Sequence, residues 1–148
     1  MKIRTGFVSN SSSSSFVAIL RKDNFDKLVK NLSPIARAAE GYSSIKKRNL
    51  DGIQMVIYSH ISSDETILIE SEDLEMFIDN ALAFAVKNSE IEIQLSEISK
   101  QLHSLDDIDI ETVDEGVNEL FDDGINELQS ALSDLAEKGK CIIHRENS

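Results

Sequence analysis

A chain of 148 residues, 41% hydrophobic and 28% charged, has the composition of a globular protein able to bury about two-thirds of its unfolded surface. The lone cysteine, Cys141, excludes an internal disulfide framework, and no apolar run approaches the roughly 20 residues of a membrane-spanning helix. The net charge of −12 is uneven: residues 1–50 carry ten Lys/Arg against three Asp/Glu, and residues 51–138 carry three against twenty-three. A single domain, 1–148, is expected, in which a basic N-terminal third (1–50) and an acidic helical portion (71–138) partly neutralise each other.

In chain order, the basic, β-prone run Lys2 to Val8 lacks the apolar block of a secretory signal, and a cytoplasmic location is expected. Ser9, Asn10 and the serines Ser11 to Ser15 separate it from a second β-prone run. Because serine hydroxyls compete for backbone hydrogen bonds, the pattern predicts strands near 2–8 and 16–21 with a loop between them. Phe25, Leu28 and Val29 stand at helical spacing and predict a helix near 23–31 with Asp23 as its cap. Ser33-Pro34 opens a shorter one near 34–40, and Gly41 ends it.

Ser43 to Asn49, with Lys46-Lys47-Arg48, reads as a basic loop. Asp51-Gly52 turns the chain into a strand near 53–60, and Ser62-Ser63-Asp64 links that to a strand near 65–70 as an antiparallel hairpin. Ser71 then caps a nearly all-round apolar helix near 72–87, the expected centre of the core.

Ser89 with Glu92 and Thr112 with Glu115 have capping-box spacing, which predicts helices near 90–104 and 113–138. Their apolar steps of three and four suggest an antiparallel pair, linked by Asp106 to Glu111. The second contains a small repeat, Asp114 to Leu120 and Asp122 to Leu128, whose glycines cost about 1 kcal/mol each in a helix interior. A break near Asp122-Asp123-Gly124 is therefore expected. A strand near 140–145 completes an α+β fold with a small, mostly antiparallel sheet.

Little in the sequence points to catalysis or to a bound metal. One cysteine and three dispersed histidines do not make a zinc site, and Cys141 and His144 would lie on opposite faces of a strand. The acidic run from Asp107 resembles the start of a calcium loop, but Thr112 replaces its glycine and Asn118 its closing glutamate. No G-x-S-x-G elbow singles out a serine, so no catalytic residue, metal ligand or cofactor is assigned. Ser11, Ser12 and Ser13 with Arg4 form a weak candidate anion site, without the glycines and lysine of a phosphate loop. Lys46-Lys47-Arg48 is a minimal footprint for phosphates beside a strongly acidic segment.

The string Lys2-x-Arg4-x-Gly6-Phe-Val-Ser-Asn-Ser-Ser-Ser-Ser-Ser-Phe16 resembles an N-terminal motif shared by many otherwise dissimilar, uncharacterised proteins of bacteriophages and bacterial mobile elements. The resemblance covers about the first 17 residues and implies a source, the host cytoplasm as the setting, and no mechanism.

The expected function is that of a phage-encoded, non-enzymatic accessory protein. It would bind a basic host or viral macromolecule through Glu119, Asp122, Asp123 and Glu127 on its acidic helices. Tight nucleic-acid binding and membrane association are not expected. The alternatives are a virion or assembly component, with homo-oligomers formed through helices 90–104 and 113–138, and an anion- or nucleotide-binding module built on the serine loop. An enzyme ranks last.

Overall fold

Alternating burial marks the central strand. Phe16, Ala18 and Leu20 are buried while Ser15, Val17 and Ile19 are partly covered, the period of two expected of β1, Ser13–Arg21. The computed structural model describes residues 13–63, 73–103 and 110–147. After β1 come helices α1 (Lys22–Lys30) and α2 (Pro34–Glu40), then strands β2 (Ser44–Leu50) and β3 (Ile53–Ser63). Helices α3 (Leu74–Phe84), α4 (Glu90–His103) and α5 (Ile110–Glu137) precede β4 (Cys141–Asn147). The α+β class is as expected, and the sheet is antiparallel throughout, in the order β2-β3-β1-β4.

Two compact units divide the chain. The first takes the described residues of Met1–Leu28, Ser43–Thr66 and Gln129–Ser148, and the second those of Val29–Tyr42 and Ile67–Leu128.

The sheet belongs to the first unit. Its inner face buries Phe16, Ala18, Leu20, Val56, Tyr58 and Cys141, with the Phe16 and Tyr58 rings edge to face at 6.0 Å. On the outer face the register sets Ile19 between Ile57 and Ile142, of which Ile142 is 70% exposed. Arg145 crosses to the α5 side, donating to the Ser133 hydroxyl at 2.9 Å with its guanidinium 5.1 Å from the Phe16 ring centroid.

Two expectations change here. Residues 43–49 were expected as a loop and instead form most of β2, an edge strand whose charged side chains stay in water; lysines on an edge also discourage pairing with other chains. The hairpin partner of 53–60 is accordingly β2. Leu50 pairs with Ile53 across a two-residue turn, in which Asp51 (φ 51°) and Gly52 (φ 86°) both take the left-handed conformation of a type I′ turn. The Asn49 side chain accepts from the Gly52 N–H at 2.8 Å.

The strand expected at 16–21 begins earlier, so Ser13, Ser14 and Ser15 lie in the ladder and not in a loop. Ser14 pairs with Ser62 on one side and Asn147 on the other, and this two-sided pairing outweighs the hydroxyls' competition for the backbone. The strands expected near 2–8 and 65–70, and the Ser71 cap, lie outside the described residues.

The second unit is helical. Leu74, Phe77, Ile78 and Ala81 of α3 join Ile35, Ala38 and Ala39 of α2, Leu95 of α4, and Val117, Phe121 and Ile125 of α5 in one core. Tyr42, Phe77 and Phe121 meet edge to face in all three pairings, with centroids 5.4–6.1 Å apart. Helix α3 is central as expected but shorter than 72–87: Ala85 is extended and Val86 is exposed.

Ser33 caps α2, its hydroxyl accepting from the Ala36 N–H at 3.3 Å, and Pro34 opens the helix as expected. At α4 the Ser89 hydroxyl accepts from the Glu92 N–H (3.2 Å), while the Glu92 carboxylate reaches past Ser89 to the Asn88 N–H (3.1 Å).

Helix α5 departs from expectation in two respects. It begins at Ile110, which places Thr112 inside the helix and not at its cap, and it runs unbroken through Asp122-Asp123-Gly124. Gly124 is present for space: a β-carbon there would lie 2.9 Å from the Ile35 carbonyl oxygen and 3.0 Å from the Ala39 methyl. Among the described residues α3 packs closely against α2 and α4, and α5 comes close to α2 at Gly124.

Candidate functional site

Helix α5 has 28 residues and neither a lysine nor an arginine among them. Val117, Phe121, Ile125, Leu128 and Leu132 are buried at steps of three and four, so the residues between them must face away. Glu119, Asp122, Asp123 and Glu127 are all exposed, as the spacing predicts. Among the described residues Glu119, Asp122 and Asp123 enter no salt bridge, and Asp122 accepts from the Asn126 amide at 3.4 Å. Glu127 differs. Its carboxylate accepts from the Ser33 N–H at 2.8 Å and from the Ser33 hydroxyl at 2.6 Å, tying α5 to the start of α2.

The candidate anion residues are not brought together among the described residues. Arg4, Ser11 and Ser12 lie outside them, and Ser13 opens β1 opposite Ser63. The basic cluster is split by strand geometry, since neighbouring side chains of a strand take opposite faces and Lys46 is thereby turned from Lys47. Lys47, Arg48, Asn49, Gln54 and Lys22 line an open groove of about 270 Å³. Lys22 is engaged by Asp26 at 2.7 Å, and this hydrogen bond, with the Asp26 charge, raises its pKa above the ordinary lysine value.

Cys141 is buried, and burial pushes its thiol pKa up, against a smaller lowering by a backbone hydrogen bond at Ile19; such a thiol is a poor nucleophile. Cys141 and His144 differ in exposure, buried against exposed, as expected for opposite faces of β4.

Sequence reasoning missed one constellation. Glu75 and Asp79, four residues apart on α3, face His103 in the last turn of α4. His103 Nδ1 lies 2.8 Å from Glu75 Oε1 and its Nε2 lies 3.9 Å from Asp79 Oδ1. The Ser99 hydroxyl donates to Asp79 Oδ1 at 3.4 Å. The i,i+4 carboxylates were visible in the sequence, but nothing in it placed the end of α4 against them.

No protein-family model, curated protein or solved structure matches the chain. Among the described residues no helix is long and apolar enough to cross a membrane.

Proposed function

We propose that this chain is a phage-encoded, non-enzymatic accessory protein that binds a basic host or viral macromolecule through the acidic face of α5. The observation that carries the reading is that Glu119, Asp122 and Asp123 are exposed, close together on one face and, among the described residues, free of salt bridges, on a helix without a single cation. An uncompensated charged face of this kind steers an oppositely charged partner and accelerates encounter. The same field repels phosphates, so tight binding to DNA or RNA is not expected at physiological salt.

The test compares wild type with the triple variant Glu119→Lys, Asp122→Lys, Asp123→Lys in capture of partners from host lysate, followed by association kinetics on the captured protein. Reversal is expected to slow association at least about tenfold while dissociation changes less, and rising salt is expected to weaken the complex steeply. A salt-insensitive complex that survives the reversal would overturn the reading. It would favour assembly through apolar helix surface, for which Ile93 of α4, 61% exposed, is the residue to substitute.

A further inference from the structure

The outer face of the sheet departs from the pattern of an antiparallel sheet that has water on one side. Such a sheet alternates apolar and polar residues along each strand. Here the outward positions are mostly apolar as well, with Val17 and Ile19 on β1 and Ile53, Met55, Ile57 and Ile61 on β3. The register sets Ile57, Ile19 and Ile142 in one row, and Leu50 faces Ile53 at the end of the surface. Of the eight large hydrophobics exposed among the described residues, four belong to this face: Leu50, Ile53, Ile61 and Ile142.

The charge of this face is opposite in sign to that of the whole chain. Lys46 lies across from Ile57, and Arg48 and Arg21 flank Met55 on its two sides. All three cations are exposed, and the Arg48 guanidinium donates to the Lys47 carbonyl oxygen at 3.1 Å. Glu146, opposite Ser15 at the far corner, is the one carboxylate on this face among the described residues. It lies 3.5 Å from His144 Nε2.

From this arrangement we infer that the outer face of the sheet docks one acidic amphipathic helix of a partner protein. The helix sets its apolar stripe on the isoleucines and its carboxylates beside Lys46, Arg48 and Arg21. Its dimensions follow from the sheet: from Ile53 to Ile61 β3 spans roughly 27 Å, the length of a helix of about 18 residues. Four strands about 4.8 Å apart give a width of roughly 19 Å, which accommodates one helix of about 10–12 Å. A second copy packed face to face opposes two surfaces of net positive charge. The face, roughly 400–500 Å², also falls well short of the 800 Å² or so that each partner of a stable pair buries. An extended anionic bilayer meets the field of the whole chain, whose net charge is −12, whereas a single helix meets charges within a Debye length of about 8 Å. The inference uses none of the residues of the acidic α5 face and does not rest on the reading of that face.

The experiment pans a displayed library of randomised peptides of about 18 residues on the intact chain, with counter-selection on the double variant Lys46→Glu, Arg48→Glu. Expected winners carry net negative charge and apolar residues at steps of three and four. A synthetic winner should shift the methyl resonances of Ile19, Ile57 and Ile142 in the unsubstituted chain. It should bind at least about tenfold more weakly to the double variant and to Ile142→Asp, and rising salt should weaken it further. Thermal melts verify that the variants fold, and the methyl map on the unsubstituted chain locates the site without them. Basic or uncharged winners, no winner that tells wild type from the double variant, or methyl shifts confined to other residues would overturn the inference. So would a wild-type dimer that Ile142→Asp dissociates, which assigns the face to a second copy, or binding to phosphatidylglycerol vesicles that the same substitution abolishes, which assigns it to lipid.

Discussion

The carboxylate of Glu127 receives both the backbone N–H and the hydroxyl of Ser33, at 2.8 and 2.6 Å, so an acidic residue of α5 completes the N-terminus of α2. Ser33 in turn caps α2 through Ala36. Helix N-termini present unsatisfied donors and a partial positive charge, which a carboxylate neutralises. Of the four acidic residues on the exposed face, Glu127 thus has a structural task as well as charge.

Neutralising these residues should therefore not be uniform in effect. Glu127→Gln is expected to cost about 1 kcal/mol, and Ser33→Ala about 0.5–2 kcal/mol, as removal of a helix cap does. Changes at Glu119, Asp122 and Asp123 should stay within about 0.5 kcal/mol. Urea denaturation of the single variants and the Ser33/Glu127 double variant checks this; additive losses would show that the pair is uncoupled.

The two glycines of the α5 repeat should respond in opposite directions. A β-carbon at Gly116 meets nothing within 4 Å, so Gly116→Ala should stabilise the protein by up to about 1 kcal/mol through helix propensity. At Gly124 the same change collides with Ile35 and Ala39 of α2 and should destabilise by about 1–3 kcal/mol. Melting temperatures of the two variants, measured side by side, decide it.

Tyr42 places its ring among Phe77 and Phe121 while its hydroxyl, buried, has no hydrogen-bond partner among the described residues. Burial, then the charge of Asp73, raises its pKa above the ordinary value of 10.0. The folded state keeps the phenolic proton longer than the unfolded state. The resulting stability is full below pH 10 and is lost as pH rises from there through the folded-state pKa. Tyr42→Phe keeps the aromatic contacts and removes the unsatisfied group, so it should be neutral or stabilising by up to about 1 kcal/mol at pH 7 and should flatten the alkaline loss. Denaturant midpoints from pH 8 to 11, taken as an order-of-magnitude titration window, provide the measurement.

The end of the serine tract should behave as strand. Ser15 pairs with Ile61 and Glu146 across β1, so Ser15→Gly is expected to cost about 0.5–1 kcal/mol, whereas Ser15→Thr or Ser15→Val should be tolerated or stabilising. Equal stability of the glycine and valine variants would return Ser15 to the status of a loop residue.

By itself the sequence determined the parts of this protein that local chemistry controls. The apolar steps along α4 and α5, the Ser33-Pro34 start of α2, the Ser89 and Glu92 pairing, and the Asp51-Gly52 turn all follow from interactions within a few residues. The exposure of Glu119, Asp122 and Asp123 was legible in the same way, because a buried stripe at steps of three and four leaves only one side for them. Tertiary structure decided what depends on partners distant along the chain. It made Lys46-Lys47-Arg48 a strand, because β3 offered an edge for that run to pair with. It drew Ser13 to Ser15 into β1, because β3 pairs with all three and β4 with Ser14 and Ser15. It kept α5 straight through Gly124, because the close approach of α2 requires a residue without a side chain there. It joined Glu127 to Ser33 across 94 residues, and it set His103 between Glu75 and Asp79. No local pattern encodes such meetings, since each arises from the packing of whole helices and strands and not from the residues that meet.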